Sequence, residues 1–147
     1  MNARVSLSLA AVWVAACLTL LARADAPAGR YTIANGTVYD TKTKLTWQQA
    51  VPPTTYVWAD AKTYCAGLSL AGTGWRLPTA KELQTIVDES RTNPSIDPTA
   101  FPATPSNGFW SSSPLANSSG FAWDVGFSNG AAGTPEVFYV YNVRCVR

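Results

Sequence analysis

The chain has 147 residues, 11 Lys or Arg against 9 Asp or Glu, a formal net charge of +2 and no histidine. The length suits a single domain, and the small charge surplus argues against nucleic acid as a partner. Without histidine there is no Ser-His triad, no Cys-His pair and no His-ligated metal site.

Residues 1–24 read as an export leader. Met1 to Arg4 is short and positive, Val5 to Ala22 is uncharged, and Ala22-Arg23-Ala24 has the small-x-small form of a signal-peptidase site. Two other readings stay open: acylation of Cys17 within Val14-Ala15-Ala16-Cys17, and retention of the apolar run as an uncleaved anchor. All three export the domain, which then occupies residues 25–147. Periplasmic or extracellular residence is expected, with no membrane contact unless the leader is kept or Cys17 is acylated. Losing Arg4 and Arg23 brings the basic count level with the 9 acidic residues, so the mature domain is neutral.

Cys17 falls in the leader, which leaves Cys65 and Cys145 as one pair in an oxidising compartment. A disulfide is the default for such a pair. A reactive or metal-binding pair is the rival reading, but no histidine is present to support it.

Taken in chain order, Tyr31-Thr32-Ile33 and Val38-Tyr39-Asp40 read as strands around an Asn35-Gly36 turn, followed by Leu45-Thr46-Trp47. Pro52-Pro53 ends this hairpin or meander. Thr54 or Thr55 is placed to cap a helix carrying Trp58, Ala61, Cys65 and Leu68 on one side. Thr79 and Glu82 have capping-box spacing after Pro78, which predicts a second helix from Ala80 to about Asp88 with Leu83, Ile86 and Val87 on its apolar face. Prolines 94, 98, 102 and 105 make residues 93–107 a long proline-rich loop. Phe109 to Ser112 resumes strand character, and Phe121, Trp123, Val125 and Phe127 alternate with smaller or polar residues. A Ser128-Asn129-Gly130 turn then leads to closing strands over Val137 to Tyr141 and Val143 to Val146. Strands, two helices, a loop and an antiparallel sheet define an α+β domain.

Four blocks resemble a known family. They are Trp58-Ala59-Asp60-Ala61 with Tyr64-Cys65, Gly74-Trp75-Arg76-Leu77-Pro78-Thr79 with Glu82-Leu83, Phe109-Trp110-Ser111-Ser112, and Val143-Arg144-Cys145-Val146-Arg147. In this order they resemble the Lcl C-terminal domain family, small bacterial exported domains mostly of unknown function. The resemblance implies a C-type-lectin-like fold, with two helices packed on an antiparallel sheet and a first-helix cysteine bonded to one in the last strand. It is also distantly similar to formylglycine-generating enzymes, whose chemistry needs a reactive cysteine pair. The calcium motifs of C-type lectins are absent, since Trp123-Asp124 lacks the intervening asparagine.

No catalytic residue, metal or cofactor is expected. Ser111-Ser112-Ser113 has no evident base, and Arg76 and Arg144 suit structural pairing with carboxylates or carbonyls. The candidate ligand-binding residues are the rings Trp110, Trp123, Tyr139 and Tyr141 and the polar groups Asn107, Asn117, Asp124 and Asn129. Flat apolar area beside fixed hydrogen-bonding groups suits a glycan or a protein surface, although large rings are more often core. Loops 93–108 and 117–120 are expected to carry the binding. The function expected is a disulfide-stabilised binding or adhesion module of the cell envelope, non-enzymatic, whose partner is a carbohydrate or an envelope or host protein. The alternatives are a formylglycine-generating-like enzyme that uses the cysteines and a structural envelope component without ligand.

Overall fold

The computed structural model describes residues 27–147, so the leader, Cys17 and the start of the predicted domain lie outside the described residues. Three short strands come first: β1 (Tyr31–Ala34), β2 (Thr37–Asp40) and β3 (Thr46–Gln48). They are followed by α1 (Trp58–Ala66), α2 (Ala80–Gln84) and a second sheet of β4 (Gly108–Leu115), β5 (Ser118–Gly126) and β6 (Ala132–Gly133). Both sheets are antiparallel, in the orders β1-β2-β3 and β4-β5-β6. The α+β architecture is thus as expected.

Local chemistry places several elements where the sequence reading put them. Asn35 and Gly36 both have positive φ, 52° and 73°, and Ala34 pairs with Thr37, so the first hairpin closes through a two-residue primed turn. At α2 the capping box forms in both directions. Glu82 N–H donates to the Thr79 hydroxyl at 3.2 Å, and Thr79 N–H donates to the Glu82 carboxylate at 2.8 Å. The bidentate ion pair from Arg76 then holds that carboxylate at 2.6 and 2.8 Å.

Other boundaries differ. Neither Thr54 nor Thr55 caps α1; its N-cap is Val57, with no side-chain bond. Tyr56 is held extended by two backbone bonds to Tyr141, so the helix cannot begin until the chain has left that pairing. The Trp58 N–H, an orphan donor of the first turn, is instead satisfied by Val137 O at 3.1 Å. α2 stops at Gln84 rather than near Asp88. The Thr85 hydroxyl donates to Glu82 O at 2.6 Å, and the β-branched run Thr85-Ile86-Val87 continues in tighter turns, still burying Ile86. The predicted closing strands are corrected too. Residues 137–140 form a turn, exposed from Phe138 to Val140, and residues 141–146 pair only through isolated bridges.

Those bridges organise the molecule. Asn142 pairs with Phe109 of β4, Tyr141 with Tyr56, and Val146 with both Trp47 of β3 and Arg76. The last seven residues therefore stitch one sheet to the other. The Cys65–Cys145 disulfide joins α1 to this segment, with Cα atoms 5.4 Å apart and 80 residues of separation.

The β4–β5 ribbon separates two apolar cores, as its period-two pattern allows. Phe109 opposes Val125 and faces Val38, Trp47, Leu83 and Phe127; Trp110 and Ala122 turn the other way, onto Ala61, Trp75, Val143 and the disulfide. Residues 93–107 contain turns and bends only, yet they supply Ile96, Ala100 and Phe101 to the first core. Arg144, wholly buried, ties these parts together. Its guanidinium donates to Gln49 O at 2.9 Å and Thr104 Oγ1 at 2.7 Å and lies 4.5 Å from the Phe101 ring centre. Burial without a carboxylate partner pushes it down to about 9.

Candidate ligand-binding cleft

A cleft of about 360 Å³ opens where β4 begins and the closing segment passes over it. It is lined by Thr55, Asn107, Gly108, Tyr139, Val140, Tyr141 and Asn142. Each wall is set by backbone bonding. Asn107 O accepts from Phe127 N–H at 3.1 Å, and Gly108 O accepts both the backbone and side-chain N–H of Asn142, at 3.1 and 3.2 Å. Tyr141 is fixed through Tyr56 on its backbone and through an edge contact with Trp110, 4.9 Å between ring centres. Tyr139 sits in the turn closed by its N–H to Glu136 O at 3.0 Å and leans on Phe138 at 5.0 Å. Phe138, Tyr139 and Val140 are 64%, 52% and 57% exposed, consecutive large apolar side chains left in water. Such a patch marks a contact surface more often than a scattered apolar residue does.

Beneath the cleft lies Asp124, buried on β5 directly opposite Trp110. Its carboxylate occupies space that two glycines leave open. A Cβ at position 108 would meet Asp124 Oδ2 at 2.6 Å, and one at position 133 would meet Oδ1 at 2.6 Å. Position 108 is also closed by the Tyr141 ring. Burial pushes the Asp124 carboxyl up from its ordinary value, against a weaker downward pull from the Gly133 N–H. The Tyr141 phenol is raised by its own burial and by the neighbouring Asp124 charge.

The sequence-derived candidates therefore divide. Asn107, Tyr139 and Tyr141 line the cleft and Asp124 lies behind it. Trp110 is corrected to core: it is fully buried, and its indole N–H donates to Tyr56 O at 2.8 Å. Asn117 turns the chain between β4 and β5 with φ 61°, outside the cleft lining. Asn129 spends its side-chain oxygen on Ala131 N–H at 3.1 Å. Trp123 faces a different hollow of about 350 Å³, with Lys81, Gln84 and Ser113. Of the two loops expected to bind, 93–108 contributes its last two residues to the cleft and 117–120 none. Thr55, Gly108, Val140 and Asn142 were not singled out from the sequence; the polar Asn142 inside an apolar closing run was the available signal.

The serine run is used structurally. Ser111 Oγ donates to Trp123 O at 2.7 Å, and Ser113 Oγ accepts from Ala80 N–H at 3.1 Å. Among the described residues no three His, Cys, Asp or Glu side chains gather as a metal-binding group.

Fold and cleft define a small, disulfide-stapled α+β domain with an aromatic, amide-edged hollow at its surface. The family profile described as the Lcl C-terminal domain matches residues 36–147, and the chain belongs to that family. None of the curated proteins compared with it matches.

Proposed function

We propose that this domain is an exported, non-enzymatic binding module of the cell envelope, of C-type-lectin-like topology, and that its ligand occupies the cleft between Asn107 and Tyr141. The observation that carries the reading is the cleft itself. Tyr139 and Tyr141 offer ring surface while Thr55, Asn107 and Asn142 offer neutral hydrogen-bonding groups. Flat apolar area edged by amides and hydroxyls suits the apolar faces and hydroxyl rims of a carbohydrate. The periplasm or the cell exterior is the compartment that suits the apolar leader and the disulfide together. A formylglycine-generating-type reaction is disfavoured, because Cys65 and Cys145 are bonded to each other and wholly buried.

Titration calorimetry of the secreted protein against glycans selected on an array tests the reading. Tyr139→Ala is expected to weaken saturable binding about tenfold, or ~1.4 kcal/mol, while Asn129→Ala leaves it unchanged. Absence of binding across glycans and envelope extracts, or equal losses in both variants, would overturn it.

A further inference from the structure

The cleft has an electrostatic sign that its lining conceals. None of the seven lining residues is charged, so its field is set by what lies just behind. That group is the Asp124 carboxylate, which comes so close to Gly108 that a Cβ there would meet both its Oδ2 and the Tyr141 ring; Gly108 and Tyr141 both form the cleft wall. The ion pairs among the described residues are Arg30–Asp40, Arg76–Glu82 and Arg91–Asp88, and Asp124 is in none of them. Other cations are engaged elsewhere: Lys62 lies over Trp58, Arg147 over Trp75, and Arg144 is enclosed by carbonyls and Phe101. A buried carboxylate is costly to keep without a cation, and here two glycines are needed to give it room.

The rings add to the same sign. The faces of Tyr139 and Tyr141 carry negative quadrupole density and attract a cation held within about 6 Å. We propose, resting on the binding reading above, that the cleft selects a glycan bearing a free protonated amine, an amino sugar without its acyl group. The ammonium sits over the Tyr141 ring and Gly108, facing Asp124, and the sugar hydroxyls meet Asn107, Asn142 and Thr55. A glycan is favoured over a lysine side chain because a single ammonium stem offers no hydroxyl to the Asn107 amide, the Asn142 amide oxygen or the Thr55 hydroxyl at the rim.

Calorimetry with three probes on the whole secreted protein tests this: glucosamine oligomers, the same oligomers fully N-acetylated, and a lysine-rich peptide. The free-amine oligomer is expected to bind at least about tenfold more tightly than its acetylated form. Asp124→Asn should bring the two within about twofold, with the thermal melt confirming that the variant is folded. The comparison of probes on the unaltered protein stands whether or not the variant folds. Equal binding of both oligomers overturns the amine preference and leaves the binding-module reading intact. Tighter binding of the peptide than of either oligomer, lost in Asp124→Asn, overturns the glycan. No binding of any probe overturns the inference, and only a null glycan array as well removes the broader reading.

Discussion

Ionisation of Asp124 works against the fold that holds it. Its carboxyl titrates above its ordinary value of 3.8 because burial disfavours the charged form. The folded state thus holds the proton more tightly than the unfolded chain, and this residue's contribution falls as pH rises through 3.8 toward the folded value. Asp124→Asn keeps the shape and an acceptor for Gly133 N–H while removing the charge. Urea unfolding should find the variant more stable than the parent at pH 7, with the gain vanishing below pH 3.8. A gain that is independent of pH would sink the argument. Asp124 was visible in the sequence as a candidate, beside Trp123. The alternation of β5 already puts these two neighbours on opposite faces; what could not be read was that the Asp124 face comes to lie under a cleft, because Gly108 and Tyr141 are brought over it from distant segments. Trp110 and Tyr141 show the same limit. Both are aromatic and near the closing segment, yet one is core and the other wall, and only packing across 31 residues decides which.

At the scale of elements, α1 and α2 are held by opposite means. α2 has only five residues and no length to stabilise itself, so its start depends on the Thr79–Glu82 box and the Arg76 ion pair. Arg76, followed by the Thr79 N–H, draws the Glu82 carboxyl from 4.5 to about 2. A depressed carboxylate stabilises above its unfolded value and loses that contribution as pH falls through the folded one. Glu82→Gln retains a capping acceptor but not the charge. It is expected to cost less than about 1 kcal/mol at pH 7, since the pair is partly exposed. Denaturant melts should show that cost shrinking below pH 4.5 and gone near pH 2. This helix start was legible because both halves of the box lie within four residues. The start of α1 was not, since its first N–H is bonded by Val137, 79 residues away.

For the molecule as a whole, the closing segment and the disulfide do the joining. Residues 141–147 bridge to β3, β4, Tyr56 and Arg76, and Cys145 anchors them to α1. A chain-entropy treatment assigns closure of such a loop about 4.5 kcal/mol, with native strain subtracting from it. The double variant Cys65→Ala, Cys145→Ala is therefore expected to lose about 3–4 kcal/mol in urea unfolding. Hydrogen exchange should speed first at α1, which lacks a side-chain cap, and at residues 141–147. Unchanged stability would show that backbone pairing alone secures the carboxyl-terminal segment.

Interactions confined to a few neighbouring residues were open to inspection in the amino-acid order: the Asn35-Gly36 turn, the Thr79–Glu82 cap, the alternation of β5 and the choice of Cys65 with Cys145 as partners. These follow from steric and hydrogen-bonding preferences that act within a turn or two, or from there being two cysteines beyond the segment read as a leader. Folding alone settled which aromatic rings face water, where the closing segment runs, and that Asp124 comes to lie behind Gly108 and Tyr141. Those outcomes depend on contacts between distant segments, whose energies are shared among many partners and leave no spacing along the chain to read.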